Sequence, residues 1–238
     1  MTQAQIQQLD IATAQIADAC IKEKIAFHMA PAGIAPVLGV ERSERTLMGR
    51  VVPVRHYGSV DVFLEVFETK EVDGAILVID NGGRTDEACI GDLVALEAKH
   101  AGLQAIAIWG LHRDTKDLRS IGLPVFSYGA FPSGPARLDE REPEAFSSAR
   151  FGDAVLTADY TAFIDLDGIV FVETKFVDKI LPVAQAIRQR EVKQAISASD
   201  GTSLRKQFQF AEFLAARQAD ATYTFRQHLR GVMSSIEE

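Results

Sequence analysis

The chain has 238 residues, 47% of them hydrophobic and 24% charged, and a formal net charge of −8. That is enough apolar material for a large core, and the acidic balance argues against nucleic-acid binding, which draws its affinity from clustered Lys and Arg. Two cysteines, Cys20 and Cys89, cannot build a disulfide framework and fit a reducing, cytoplasmic setting; the first residues lack the basic and apolar blocks of a signal peptide, and no apolar run approaches the roughly 18 residues of a membrane span.

Residues 3–20 place Ile6, Leu9, Ile11, Ile16 and Ala19 among Gln and Asp, which predicts an amphipathic helix. Residues 30–50 hold Pro31, Gly33, Pro36 and Gly39 and read as a loop. Residues 50–56 have the β-branched content of a strand, and residues 60–67 are dense enough in apolar side chains for a short helix. Residues 74–80 (GAILVID) form a continuous apolar run ending in an acid, the pattern of a buried strand, with a turn at Asn81-Gly82-Gly83-Arg84. A helix over 87–101, a buried strand over 104–109, a loop at 110–114 and a short strand over 124–128 follow. This alternation predicts an α/β protein with a partly parallel sheet.

Residues 130–150 carry three prolines and many charges, as a long surface excursion would. Short strands over 153–172 are expected around the Asp167-Gly168 turn. From Lys175 the periodicity is helical: one helix over 175–198, kinked at Pro182, then a break at Ser199-Asp200-Gly201, then helices over 203–216 and 222–232. Their Phe208, Phe210, Phe213, Leu214, Tyr223, Phe225 and Leu229 suit either a helical cap on the core or an arm around a neighbouring subunit.

Sites in open α/β sheets lie at the carboxyl ends of strands, here 80–84, 110–114 and the Gly129 region. At the start of the 87–101 helix pattern, Gly91-Asp92-Leu93-Val94 offers free N–H groups and the positive end of the helix dipole. Arg113 can grip a carboxylate with two parallel hydrogen bonds, and Asp114 can serve a hard divalent cation. Twenty residues separate Asp92 from Arg113. A helix and a strand fill that gap and return the chain to the same end of the sheet, so the three can converge; an Arg-Asp pair after a strand is also the pattern of a surface salt bridge.

The stretch VIDNGG…IGDLVALEAKHAGLQAIAIWGLHRD…PVFSYG…FGDAVLTADYTAFIDLDGIVFV, within residues 50–175, resembles the family of the regulator of ribonuclease E activity A. That family also contains the 4-hydroxy-4-methyl-2-oxoglutarate aldolases, and Asp92, Arg113 and Asp114 are similar to the pattern of its enzymatic branch. The resemblance implies a swivelling β/β/α sandwich over residues 1–175 with a helical C-terminal extension over 176–238, assembled as a homotrimer or hexamer with sites between subunits. It implies a lyase, an aldolase or oxaloacetate decarboxylase, that cleaves a 2-oxo acid with Mg²⁺ or Mn²⁺ through a metal-stabilised pyruvate enolate. Backbone groups of Gly91, Asp92, Leu93 and Val94 and the Arg113 side chain would bind the substrate carboxylate; Asp114 would bind the metal, Asp92 would orient its waters, and Glu191 would be the acidic residue supplied by a neighbouring subunit's C-terminal helix. The alternatives are a non-catalytic ring that binds a partner enzyme such as a ribonuclease, and a sugar-acid or hydroxy-acid enzyme on the same frame. One departure is Ala158-Asp159-Tyr160, where the family has Pro-Gly-Asp.

Asp80, Asn81 and Arg84 are candidates for the distal end of the substrate, or simple turn caps. His112 is a candidate acid or base, though lone loop histidines are usually bystanders. Cys89 reads as small packing, Asp165 and Asp167 as turn-shaping acids.

Overall fold

A computed structural model describes residues 8–37 and 45–232. Its framework is one mixed sheet. Four strands run parallel: β4 (Thr46–Arg55), β5 (Ile76–Asp80), β7 (Ala105–Trp109) and β9 (Val125–Ser127), counting β1 (Gln8–Leu9), β2 (Phe27–Met29), β3 (Ala35–Pro36), β6 (Ala88–Ile90) and β8 (Leu111–His112) in chain order. With β10 (Ala149–Phe151), β11 (Ala154–Leu156), β12 (Tyr160–Asp165) and β13 (Gly168–Glu173), the sheet order is β2-β13-β12-β4-β5-β7-β9-β3, and β1 pairs with β4. The hairpin β12–β13 turns at Asp165↔Gly168, as the Asp-Gly pair predicts.

The apolar runs of β4, β5 and β7 alternate in space although they do not alternate in sequence. Val52, Val54, Leu77, Ile79, Ile106 and Ile108 face one core, shared with helices α2 (Asp61–Thr69) and α3 (Asp92–His100). That side also receives Leu118 of α4 (Thr115–Ile121). Val51, Ile76, Val78, Ala105 and Ala107 face the opposite core, built with Phe151, Ala154 and Leu156 of the β10–β11 hairpin. Hairpin, sheet and helices therefore form three layers, a β/β/α arrangement. Burying each such branched side chain is worth about 1.5–3 kcal/mol, which is why the central strands carry no polar residue before Asp80 and Trp109.

A third core joins α1 (Thr13–Glu23) and α5 (Val177–Ser199) to β12 and β13 through Ile16, Ala19, Phe163, Val170, Ile180 and Ile187. α5 runs unbroken through Pro182. Beyond it, α6 (Leu204–Gln207), α7 (Phe210–Ala219) and α8 (Phe225–Gly231) gather Phe208, Phe213, Phe225 and His228 into an aromatic cluster. No helix among the described residues is long and apolar enough to cross a membrane.

Several boundaries differ from the sequence reading. The first helix begins at Thr13, because Gln8 and Leu9 pair with Leu47 and Thr46 as a strand and Asp165 accepts the Thr13 N–H at 2.6 Å and hydroxyl at 2.7 Å. Ile6 lies outside the described residues. The expected loop over 30–50 contains β3 and the first half of β4; its segment 38–44 lies outside the described residues. The helix expected over 87–101 begins only at Asp92: Ala88-Cys89-Ile90 is buried and pairs with Leu111-His112 as a parallel strand. The helix expected over 203–216 is split at Gln209, whose left-handed φ of 49° ends one helix and starts the next.

Candidate functional site

The parallel pair β6–β8 sets the geometry. Gly91 follows β6 and precedes α3; Arg113 and Asp114 follow β8 and precede α4. The Arg113 N–H donates to Ile90 O at 2.9 Å, so both chain segments leave the pair side by side. Asp92, Arg113 and Asp114, predicted to converge, do converge. Arg113 Nε lies 3.3 Å from Asp114 Oδ2, and the Asp92 N–H points at that same oxygen at 3.4 Å. Asp92 Oδ1 accepts the Leu93 N–H at 2.8 Å. Asp114 holds a left-handed φ of 59° as the residue capping α4; aspartate tolerates that region better than most residues, and backbone strain of this kind is common at functional sites.

Gly91 is required by close approach. A Cβ there would stand 2.1 Å from Asp114 Oδ2 and 3.1 Å from Arg113 Cγ. The Arg113 and Asp114 side chains stay 49% and 35% exposed, open enough for a ligand to reach both. Val94 turns into the core, whereas Leu93 is 72% exposed. The constellation therefore presents a guanidinium fork and the Asp114 carboxylate to solvent at the start of α3, where the Asp92 and Leu93 N–H groups face the Asp114 and Asp92 carboxylates. It can hold an anion beside a hard cation.

Glu191 is not brought to this patch within the chain. It sits on α5 and accepts from Gln15 Nε2 at 2.6 Å, and α5 packs on α1. His112 is a buried strut: Nδ1 is 2.7 Å from Ser127 Oγ and Nε2 is 3.0 Å from Thr115 Oγ1. Burial, with help from Arg119 and against Asp114, lowers its pKa. Burial likewise pushes the Cys89 thiol well up, consistent with small packing. Asp80 accepts from Gly82 N–H and Arg150 N–H, each at 2.9 Å, which makes it a turn cap. Asp165 caps α1 and also takes the Asp167 N–H at 2.9 Å.

Sequence reasoning missed a buried polar network beside the patch. Glu87, 3% exposed, immediately precedes β6. Arg137 Nε reaches both of its oxygens at 3.1 Å, and Nη2 reaches Oε1 at 2.9 Å and Asn81 Oδ1 at 3.1 Å. Asn81 Oδ1 also meets His56 Nδ1 at 2.8 Å, and Arg84 Nε lies 3.5 Å from Glu87 Oε2. Asn81 and Arg84 thus belong to this network, although Asn81 Nδ2 and Arg84 Nε have no hydrogen-bond partner among the described residues. The available signal was Glu87 itself, a charge set directly against the buried triplet Ala88-Cys89-Ile90, which demands an arginine partner.

A protein of Shewanella oneidensis provisionally named 4-hydroxy-4-methyl-2-oxoglutarate aldolase is 29% identical over 130 residues, 55% of this chain and 77% of that protein. A Bacillus anthracis protein with the same provisional name is 30% identical over 98 residues, 41% of this chain and 60% of its own length. Among solved structures, an uncharacterized protein from Pseudomonas syringae pv. tomato superposes with a TM-score of 0.68 at 22% identity, covering 83% of this chain and 92% of that one. The RNA-processing inhibitor RraA from Thermus thermophilis superposes with a TM-score of 0.56 at 22% identity over 66% of this chain and 92% of that one. These structures share the fold. The family model described as Aldolase/RraA matches residues 13–171, helix α1 through β13 with the whole Asp92–Asp114 constellation inside it, and the chain belongs to this RraA-like family.

Proposed function

We propose that this chain is a divalent-metal-dependent lyase acting on a 2-oxo acid, as a 4-hydroxy-2-oxo acid aldolase or an oxaloacetate decarboxylase. The observation that carries the reading is the convergence of Arg113, Asp114 and Asp92 over the backbone of Gly91. The donor chemistry is of the kind Mg²⁺ or Mn²⁺ takes, one or two carboxylates with the remaining positions left to water: Asp114 is 35% exposed, and Asp92 lies at the start of α3. Asp114 would hold the ion and Asp92 would orient its waters. When bound, the ion would act as a Lewis acid on the 2-oxo group.

The chain's own residues do the rest. Arg113 grips the substrate carboxylate, assisted by the N–H groups at Gly91–Val94, and so fixes the 2-oxo group next to Asp114. The positive end of the α3 dipole favours charge that builds on that group as the C3–C4 bond breaks. In an aldol cleavage the 4-hydroxyl must lose its proton to a base. Glu191 is our candidate, and it would have to act from a neighbouring subunit. Assembly as a homotrimer or hexamer is part of the proposal, supported by the exposed Leu93 and Leu96 on α3 and the exposed Leu64 on α2. So are the cytoplasmic setting and the use of residues 176–238 as the extension that reaches the neighbour.

The test is pyruvate release from oxaloacetate and from 4-hydroxy-4-methyl-2-oxoglutarate, coupled to lactate dehydrogenase, with added Mg²⁺ or Mn²⁺. Metal-dependent turnover that disappears in Asp114→Ala supports the lyase. Absence of turnover across a panel of 2-oxo acids, with no Mn²⁺ binding by titration, overturns it in favour of a non-catalytic regulator.

A further inference from the structure

We infer that Gly134 and the buried Glu87–Arg137 pair position the Arg113 guanidinium, an inference that rests on the proposed role of Arg113 as the substrate-carboxylate clamp. The segment between β9 and β10 has no helix or strand of its own, yet it is fastened along its length. Phe131 N–H donates to His112 O at 2.8 Å, Ala88 N–H donates to Ser133 O at 2.8 Å, and Asp139 N–H donates to Tyr57 O at 2.9 Å. Between these points Arg137 reaches inward to Glu87 and Asn81. Glu87 stands one residue before β6, the strand that delivers Gly91. The pair therefore locks the segment to the same element that carries the backbone of the patch.

The consequence falls on Arg113. Among the described residues its ion pair is the 3.3 Å contact from Nε to Asp114, which leaves the two outer nitrogens of a half-exposed side chain to be placed by packing. Gly134 supplies that packing: a Cβ on it would lie 3.1 Å from Arg113 Nη1, and among the described residues beyond its chain neighbours it would meet only the Arg113 guanidinium within 4 Å. The backbone at Gly134 is thus a wall against which the fork rests, and the Glu87–Arg137 pair holds the wall in place. A fork confined in advance loses less conformational freedom on gripping a carboxylate. Arg137 and Glu87 act through the wall and are positioning residues.

Gly134→Ala is the sharpest probe, because the added methyl displaces only the flexible end of Arg113. Glu87→Gln loosens the wall from behind, and Arg137→Lys keeps the charge while losing the fork. The three variants and the wild type, as full chains with Mg²⁺, are compared in thermal midpoint, in KM and kcat for the best 2-oxo acid, and in the Arg113 Nε–H resonance of arginine-labelled protein. The expected result is a shifted or broadened Arg113 resonance and a KM raised about threefold or more in Gly134→Ala, about tenfold in Glu87→Gln and less than in Glu87→Gln in Arg137→Lys, with kcat within about twofold throughout. An unmoved Arg113 resonance with unchanged KM in a folded Gly134→Ala variant overturns the inference. So does a loss confined to kcat. A wild type that turns over no 2-oxo acid sinks the lyase reading alone, and the Arg113 resonance then decides the inference by itself.

Discussion

Arg113 and Asp114 are adjacent in sequence but have opposed tasks, one gripping an anion and one serving a cation. Lysine at position 113 would keep the charge and lose the planar fork. Charge-assisted bonds are worth about 1.5–3 kcal/mol, so Arg113→Lys is expected to raise KM for the 2-oxo acid roughly 10- to 100-fold, read from initial-rate kinetics. The buried histidines make a different statement, about stability. Burial lowers the pKa of His56 below its ordinary 6.5 despite the hydrogen bond its ring makes to Asn81 Oδ1, and burial lowers that of His112 from 6.5 as well. A histidine depressed in the folded state takes up its proton first in the unfolded chain. The stabilisation is therefore fully present above pH 6.5 and is lost as pH falls below it through the folded-state values. The thermal midpoint should drop between pH 7.5 and 5.5, and His56→Gln should flatten that slope; a slope unaltered by the substitution would assign the acid sensitivity elsewhere.

At the scale of elements, the site depends on how tightly the β6–α3 and β8–α4 connections pass each other. Gly91 has an extended φ of −135°, which any residue can adopt, so its requirement is steric: a Cβ would stand 2.1 Å from Asp114 Oδ2 and 3.1 Å from Arg113 Cγ. Gly91→Ala should leave the fold intact, with a thermal midpoint within a few degrees of wild type. It should displace the Asp114 carboxylate by about 1 Å and cost roughly 100-fold in turnover, since misplacement on that scale is enough to do so. The C-terminal helices carry a separate expectation. Phe213 is buried among Phe210, Tyr223, Phe225 and His228. Truncating such a residue costs about 3–5 kcal/mol in a packed core. Phe213→Ala should therefore speed limited proteolysis within residues 200–232, checked by mass spectrometry, while fragments spanning β4 to β13 persist.

At the scale of the whole molecule, much was legible in advance. The apolar runs 74–80 and 104–109 announced central parallel strands, because only strands covered on both faces are hydrophobic without alternation. The 20-residue gap from Asp92 to Arg113 announced their convergence, because a helix plus a strand returns the chain to its starting edge. What was not legible came from partners distant in sequence. Ala88-Cys89-Ile90 suits a helix start as well as a strand, and only pairing with Leu111-His112 selects the strand. Leu9 fits a helical stripe, yet pairing with Thr46 places it in a strand, and Asp165, 152 positions beyond Thr13, sets where the helix begins. Glu87 and Arg137 are 50 residues apart and share no local pattern, so their ion pair exists only once the β9–β10 connection folds back over β6. Local periodicity and spacing report what a segment can bury and how far it can reach, and these announced the central parallel strands and allowed Asp92, Arg113 and Asp114 to meet, while the layer order came from the family resemblance. Contacts between segments remote in the chain decide which of two permitted conformations is adopted and which polar groups are paired in the interior, and here those contacts trimmed the helices, built the β6–β8 pair and set the Gly134 backbone against Arg113.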